Sequence, residues 1–261
     1  MTAPNPQPPY IEIRDVTMAY GSLVIQRDLN FTINQGDIFV IMGGSGCGKS
    51  TLLKHMLGLI PPSSGDIWYE GNSFFQASAA QQGAMRQGWG ITYQSGGLFS
   101  AMTLAENITL PLELYTRFTP AEITDIVAYK LALVGLAGFQ SYYPSEISGG
   151  MQKRAALARA IALDPKILFF DEPSAGLDPI SSRLLDELIV QIKESMGATV
   201  IMVTHELPSI FAIATNSVYL DNISRTMIAY GNPQDLRDHS PQAVVRQFLT
   251  RSAAANAQDQ A

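Results

Sequence analysis

Two hydrophobic rhythms divide the chain. Near the N-terminus apolar residues alternate with polar ones: Tyr10, Ile11, Ile13 and Val16, then Phe31 and Ile33, then Ile67 and Tyr69. Alternation broken by turn residues predicts short strands with one face buried. Elsewhere the apolar runs are continuous, from Ile38 to Met42, Ile167 to Phe170 and Val200 to Val203. Such runs predict strands buried on both faces, as in a parallel sheet. Helical stripes alternate with them. Leu52, Leu53, Met56, Leu57 and Ile60 form one, and Leu184, Leu185, Leu188, Ile189 and Ile192 another; both have the spacing of a helix with one face in a core. Residues 95–155 lack long β-branched runs and carry helical pieces around 103–114 and 119–137. This stretch reads as a helical insertion in an α/β core. The first nine residues are proline-rich and expected to be disordered, and the small polar end from Ala253 is expected to fray.

Composition narrows the function. The chain has 261 residues with 17 basic and 23 acidic side chains, a net charge of −6, which argues against a general nucleic-acid binder. Its single cysteine, Cys47, permits neither an intrachain disulfide nor a cysteine zinc cluster. The start, MTAPNPQPPY, has no basic head and no apolar segment of the secretory kind. No apolar run is long enough to predict a membrane-spanning helix.

Two motifs carry chemistry. Gly43-Gly44-Ser45-Gly46-Cys47-Gly48-Lys49-Ser50 fits G-x-x-x-x-G-K-[ST], placed between an apolar strand and a helix expected to open near Ser50. The glycines let main-chain N–H groups converge on one concavity, and the helix terminus adds partial positive charge. Lys49 would meet the β- and γ-phosphates of a nucleotide, Ser50 a Mg²⁺ ion, and Thr51 the α-phosphate. Cys47 reads as a small loop residue before it reads as a reactive thiol. The second motif is the apolar strand Ile167–Phe170, which ends in Asp171 and Glu172. Strand ends of this kind bind ligands in α/β sheets. Asp171 would hold Mg²⁺, and Glu172 would polarise an attacking water.

With these, Ile147-Ser148-Gly149-Gly150-Met151 resembles the signature of ABC-type ATPases, normally L-S-G-G-Q, and lies just before the carboxylate strand as it does in that family. Ile147 and Met151 depart from the pattern, while Ser148, Gly149 and Gly150 keep it. Ser148 is expected to cap a helix carrying Lys153, Arg154 and Arg159, forming a second anion site. The resemblance covers roughly residues 10–235 and implies an α/β fold: a P-loop NTPase core of the ABC ATPase type, an antiparallel β subdomain and a helical subdomain at about 95–155. It implies one domain over 10–240 and a C-terminal tail over 241–261. It further implies that Tyr20 stacks on adenine, that Gln94 touches Mg²⁺ and senses a membrane partner, and that His205 contacts the γ-phosphate. Ser148 to Gly150 and Asp178 would serve the nucleotide of a second copy, so that two chains enclose two ATP molecules.

Residues 96–108, and 148–162 after the signature, are similar to the Mla-type branch, the ATPases of bacterial lipid transport that work with MCE-domain proteins. That similarity implies membrane permease subunits, an MCE-domain protein and a small cytoplasmic regulatory subunit as partners. It also implies a peripheral location on the cytoplasmic face of the inner membrane. The tail Val244–Leu249 would cross to the neighbouring ATPase. The alternatives are the ATPase of a small-solute importer, a soluble ABC ATPase acting on DNA or ribosomes, and a nucleotide sensor without turnover. The insertion is too short for the coiled coils of DNA-organising members, and intact Lys49, Asp171, Glu172 and His205 argue against a sensor.

Overall fold

The structure, a computed structural model, describes residues 9–251. The expectations for residues 1–8 and for the chain from Ala253 lie outside the described residues. Two compact units emerge, one reaching to Gln76 and resuming at Ile210, the other running from Ala77 to Ser209.

In the first unit the alternating segments pair as their pattern requires. Strands β1 (Ile11–Tyr20) and β2 (Leu23–Ile33) are antiparallel, with Ile11 opposite Ile33 and Ile13 opposite Phe31. The continuous run becomes β3 (Ile38–Gly43), buried along its whole length, and leads into α1 (Lys49–Met56). Strands β4 (Ser64–Tyr69) and β5 (Asn72–Ser73) complete an antiparallel sheet in the order β2-β1-β4-β5. The β1–β4 register shifts between Arg14 and Thr17. There Gly65 comes so close to the main chain of Asp15 that a Cβ would lie 2.3 Å from its carbonyl oxygen. Helix α1 ends sooner than its stripe predicts. Leu57 caps it, and Ile60 lies beyond it.

The second unit begins with α2 (Ala79–Gln87), which leads into β6 (Trp89–Thr92). The helical insertion follows as α3 (Leu104–Tyr115), α4 (Pro120–Leu133) and α5 (Gly149–Ala160). Helices α3 and α4 each open with a capping box, Thr103 with Glu106 and Thr119 with Glu122. These reciprocal bonds satisfy amides that the first turn leaves over. They also hold both glutamate carboxyls below their usual range. Next come β7 (Ile167–Asp171), α6 (Pro179–Met196), β8 (Thr199–Val203) and α7 (Leu207–Ile213). Strand β7 pairs in parallel with β6 on one side and β8 on the other. On α6 the core side is Leu185, Ile189 and Ile192, whereas Leu184 faces outward.

Returning to the first unit, β9 (Asn216–Asp221) runs parallel to β3 and antiparallel to β10 (Thr226–Gly231). The chain then forms α8 (Pro233–His239) and α9 (Ala243–Thr250). Helix α9 buries Val245 and Leu249, and Phe248 meets Tyr219 edge-on at 5.3 Å between ring centres. Part of the apolar side of Val244–Leu249 is thus packed within the unit that carries it.

Candidate functional site

The first unit holds the phosphate loop. Gly43, Gly46 and Gly48 all adopt positive φ, at 149°, 74° and 99°. At Gly43 any larger residue is also blocked, because a Cβ would sit 2.4 Å from the carbonyl oxygen of Leu220. Gly48 is the N-cap of α1 and supplies no side-chain cap. A glycine there brings no side chain over the helix N-terminus, whose partial positive charge suits an anion. Lys49 folds back over the loop, its Nζ donating to the carbonyl oxygens of Gly43 and Gly44 at 2.9 and 3.0 Å. The loop is anchored from beneath by Gln26, fully buried, whose Nε2 donates to the carbonyls of Cys47 and Asp221. Sequence reasoning missed Gln26, for a lone glutamine in an alternating strand carries no signal of what lies beneath it. Cys47 is buried, and burial raises its thiol pKa against the opposing pull of Lys49. Ser50 and Thr51 lie in the first turn of α1, and Tyr20 closes β1 half-exposed.

The second unit holds the carboxylates. Strand β7 brings Asp171 to its end, and at Glu172 the backbone leaves extended geometry for φ 50°. That conformation costs a non-glycine residue about 1–2 kcal/mol and is held by the bond from Glu172 N to the carbonyl oxygen of Val203 at 2.8 Å. Glu172 is 9% exposed. Its Oε1 lies 2.8 Å from Nδ1 of His205, just beyond β8. Its Oε2 is buried and has no hydrogen-bond partner among the described residues. A buried carboxylate oxygen without a partner is costly, and a water or a hydroxyl would satisfy it. The Nε2 of His205 lies 3.5 Å from a carboxylate oxygen of Glu206.

Helix α5 organises the rest. Ser148 caps it by accepting from Met151 N at 3.3 Å. Ser148, Gly149, Gly150 and Asp178 line one cleft of about 590 Å³, together with Gly176 and Ser181. Asp178 caps α6 through Ile180 N and Ser181 N, both at 3.0 Å. Its hydrogen bonds from Ser181 hold the carboxyl below its usual range. The cations of this helix are engaged with main-chain carbonyls. Lys153 donates to the carbonyl of Gln94, Arg154 to that of Val134 and Arg159 to that of Gly97. They pin the insertion's own main chain, which has carbonyl oxygens left over at loops and helix ends. Gln152 is likewise engaged, its Nε2 donating to Pro144 O at 2.8 Å. Asn107 was also missed. It holds both the N–H and the carbonyl of Phe99, shaping the loop after Gln94.

Comparisons with known proteins agree with this inventory. The family model described as ABC transporter matches residues 26–175. A model described as AAA domain, putative AbiEii toxin, Type IV TA system, matches residues 140–212. The "Probable ribonucleotide transport ATP-binding protein mkl" of Mycobacterium tuberculosis H37Rv is 41% identical over 92% of this chain, which spans 66% of that relative's length. The "Intermembrane phospholipid transport system ATP-binding protein MlaF" of Escherichia coli K12 is 38% identical over 92% of this chain and 88% of its own. Among solved structures, cbiO1 of Clostridium perfringens, part of the ABC transporter complex cbiONQ, matches with TM-score 0.81 and 26% identity over 94% of this chain and 96% of that one. A dimeric ATP-binding cassette in a post-hydrolysis state, bound to ADP and Pi, matches with TM-score 0.77 and 27% identity over 85% of this chain and 98% of that one. With its phosphate loop, carboxylate strand and signature helix all in place, and a family match over more than half its length, the chain belongs to the ABC transporter family.

Proposed function

We propose that this chain is the ATP-binding and ATP-hydrolysing subunit of a transporter that moves phospholipid between membranes. The observation that carries hydrolysis is Glu172: one carboxylate oxygen is tied to His205 and the other is buried without a partner. A base so held is aimed at one small polar molecule, and water is the reactant that hydrolysis needs. Lys49 and the amides of the phosphate loop bind the phosphates, and Tyr20 offers a face to the base. His205 steadies both the carboxylate and the charge that develops at the terminal phosphate. Ser50, Gln94 and Asp171 offer a hydroxyl, an amide oxygen and a carboxylate, the hard oxygen donors that suit Mg²⁺. Held by such donors, the ion would neutralise phosphate charge.

Ser148, Gly149, Gly150 and Asp178 serve a second copy in this reading. Their cleft contains the capped N-terminus of α5 and none of the cations of that helix except Arg154. ATP would draw two copies together and hydrolysis would release them. Such a cycle does work only if a membrane partner binds the two states differently. Extensive similarity to a phospholipid-transport ATP-binding protein, over 88% of its length, supports lipid as the cargo. The partners are then permease subunits at the inner face of the membrane, with an MCE-domain protein and a small regulatory subunit.

The test is recovery of the tagged full chain from detergent-solubilised membranes. Expected are a multi-span membrane subunit, co-purified phospholipid and ATP hydrolysis by the complex. A periplasmic solute-binding partner in place of lipid would overturn the lipid assignment. A complex that does not hydrolyse ATP would overturn the whole reading.

A further inference from the structure

Lys153 is a half-buried cation that the proposed chemistry leaves without a task. It stands on α5, five residues after Ser148, and its Nζ donates to the main-chain carbonyl of Gln94. Its side chain lines a void of about 10 Å³ with Thr92, Tyr93, Phe170 and Pro173. Those four residues are the pair just before Gln94 and the two that flank Asp171 and Glu172. Lys153 therefore sits between the ends of β6 and β7, where the two segments bearing site residues leave the sheet. Burial makes its charge costly, and the attraction of Glu172 offsets part of that cost. Three residues along the same segment, Arg159 fixes Gly97 through its carbonyl oxygen at 2.7 Å. Asn107 fixes Phe99. The loop after Gln94 is thus secured at its far end by other residues, and Lys153 alone of these three holds the end that bears Gln94.

We propose that Lys153 is a positioning residue for hydrolysis: by holding the main chain at Gln94 to the signature helix, it sets where the Gln94 side chain sits, without touching nucleotide itself. The inference rests on the roles given above to Gln94 and Glu172. Removing the ammonium frees the Gln94 end of the loop while leaving the phosphate loop intact. Turnover should suffer and nucleotide binding should not. A hydrogen bond from a charged donor contributes enough that losing it corresponds to about a tenfold change.

The experiment compares Lys153→Met, Lys153→Arg, Gln94→Ala and the double variant Gln94→Ala with Lys153→Met, all in the full chain. ATP hydrolysis gives kcat and KM, and calorimetry gives ATP affinity. Lys153→Met should lower kcat about tenfold, with KM and affinity changed less than about twofold. Lys153→Arg should recover most of the loss. In the Gln94→Ala background the same Met substitution should cost less than about twofold, since the residue acts through Gln94. An unchanged kcat overturns the proposal, as does a full tenfold loss in both backgrounds or an arginine no better than methionine. Should Lys153→Met melt early, the arginine variant and the paired comparison still decide. A wild-type chain without ATP turnover, or Gln94→Ala with normal turnover, would remove the reading beneath it too. Failure confined to the Lys153 variants leaves that reading standing.

Discussion

Asp186 shows at the scale of one residue what the hydrophobic pattern hides. It lies on the core side of α6, 4% exposed, and its Oδ1 has no hydrogen-bond partner among the described residues. Burial, with Glu187 adding repulsion, pushes its carboxyl up to about 6. In the unfolded chain it titrates near 3.8. Between those values the native state keeps a proton that the unfolded state has lost, so stability falls as pH rises through the window. Above pH 6 the penalty is complete and amounts to at most about 3 kcal/mol. Asp186→Asn removes that dependence. The stability difference between variant and wild type should grow from pH 4 to pH 6 and then level off, as read from urea midpoints. A difference that stays flat across the window would contradict the assignment. Residues with a motif around them are legible in the amino-acid sequence: the loop Gly43–Ser50, the pair Asp171 and Glu172, and Ser148. Gln26 and Lys153 are not, because their roles depend on which main-chain atoms happen to lie opposite them, and Asp186 is not, because its role depends on what packs over it. Side-chain spacing along the chain does not encode such neighbours.

At the scale of elements, periodicity places the buried strands and most helices and misjudges their ends. The runs 38–42, 167–170 and 200–203 form β3, β7 and β8, each buried nearly throughout. The helical pieces of the insertion are α3 and α4, fixed at their starts by Thr103 and Thr119. Leu57 and Ile60 continue the apolar stripe of α1 while the helix stops at Met56, since stripes record burial and not hydrogen bonding. The tail forms a helix, α9. Its apolar residues are legible as one face of a helix; what that face covers is not. Leu249 is 2% exposed at the end of α9. Leu249→Ala should therefore cost about 2 kcal/mol or more, as for other buried leucines, and the cost should not vary with protein concentration. Urea unfolding at two concentrations checks both points. A loss that vanished on dilution would mean that the helix seats in a second copy after all.

For the molecule as a whole, composition sets the direction: a net charge of −6, and no helix long and apolar enough to span a membrane among the described residues. Each unit contributes a different kind of chemistry. The first offers a glycine-lined cradle with Lys49, and the second offers a carboxylate, Glu172, bonded to His205 and a capped helix lining a cleft. Neither set would hydrolyse a nucleotide alone, so everything turns on whether they act in one reaction. The sharpest test is Glu172→Gln in the full chain, measuring ATP affinity, steady-state hydrolysis and ATP-dependent self-association on the same preparation. Loss of a general base lowers turnover by about 10²- to 10⁴-fold. A fall of that order is expected with ATP affinity retained, and dimers should persist in ATP because they can no longer reopen. Normal turnover in the glutamine variant would contradict the assignment of Glu172 as the base and, with it, the joint reaction.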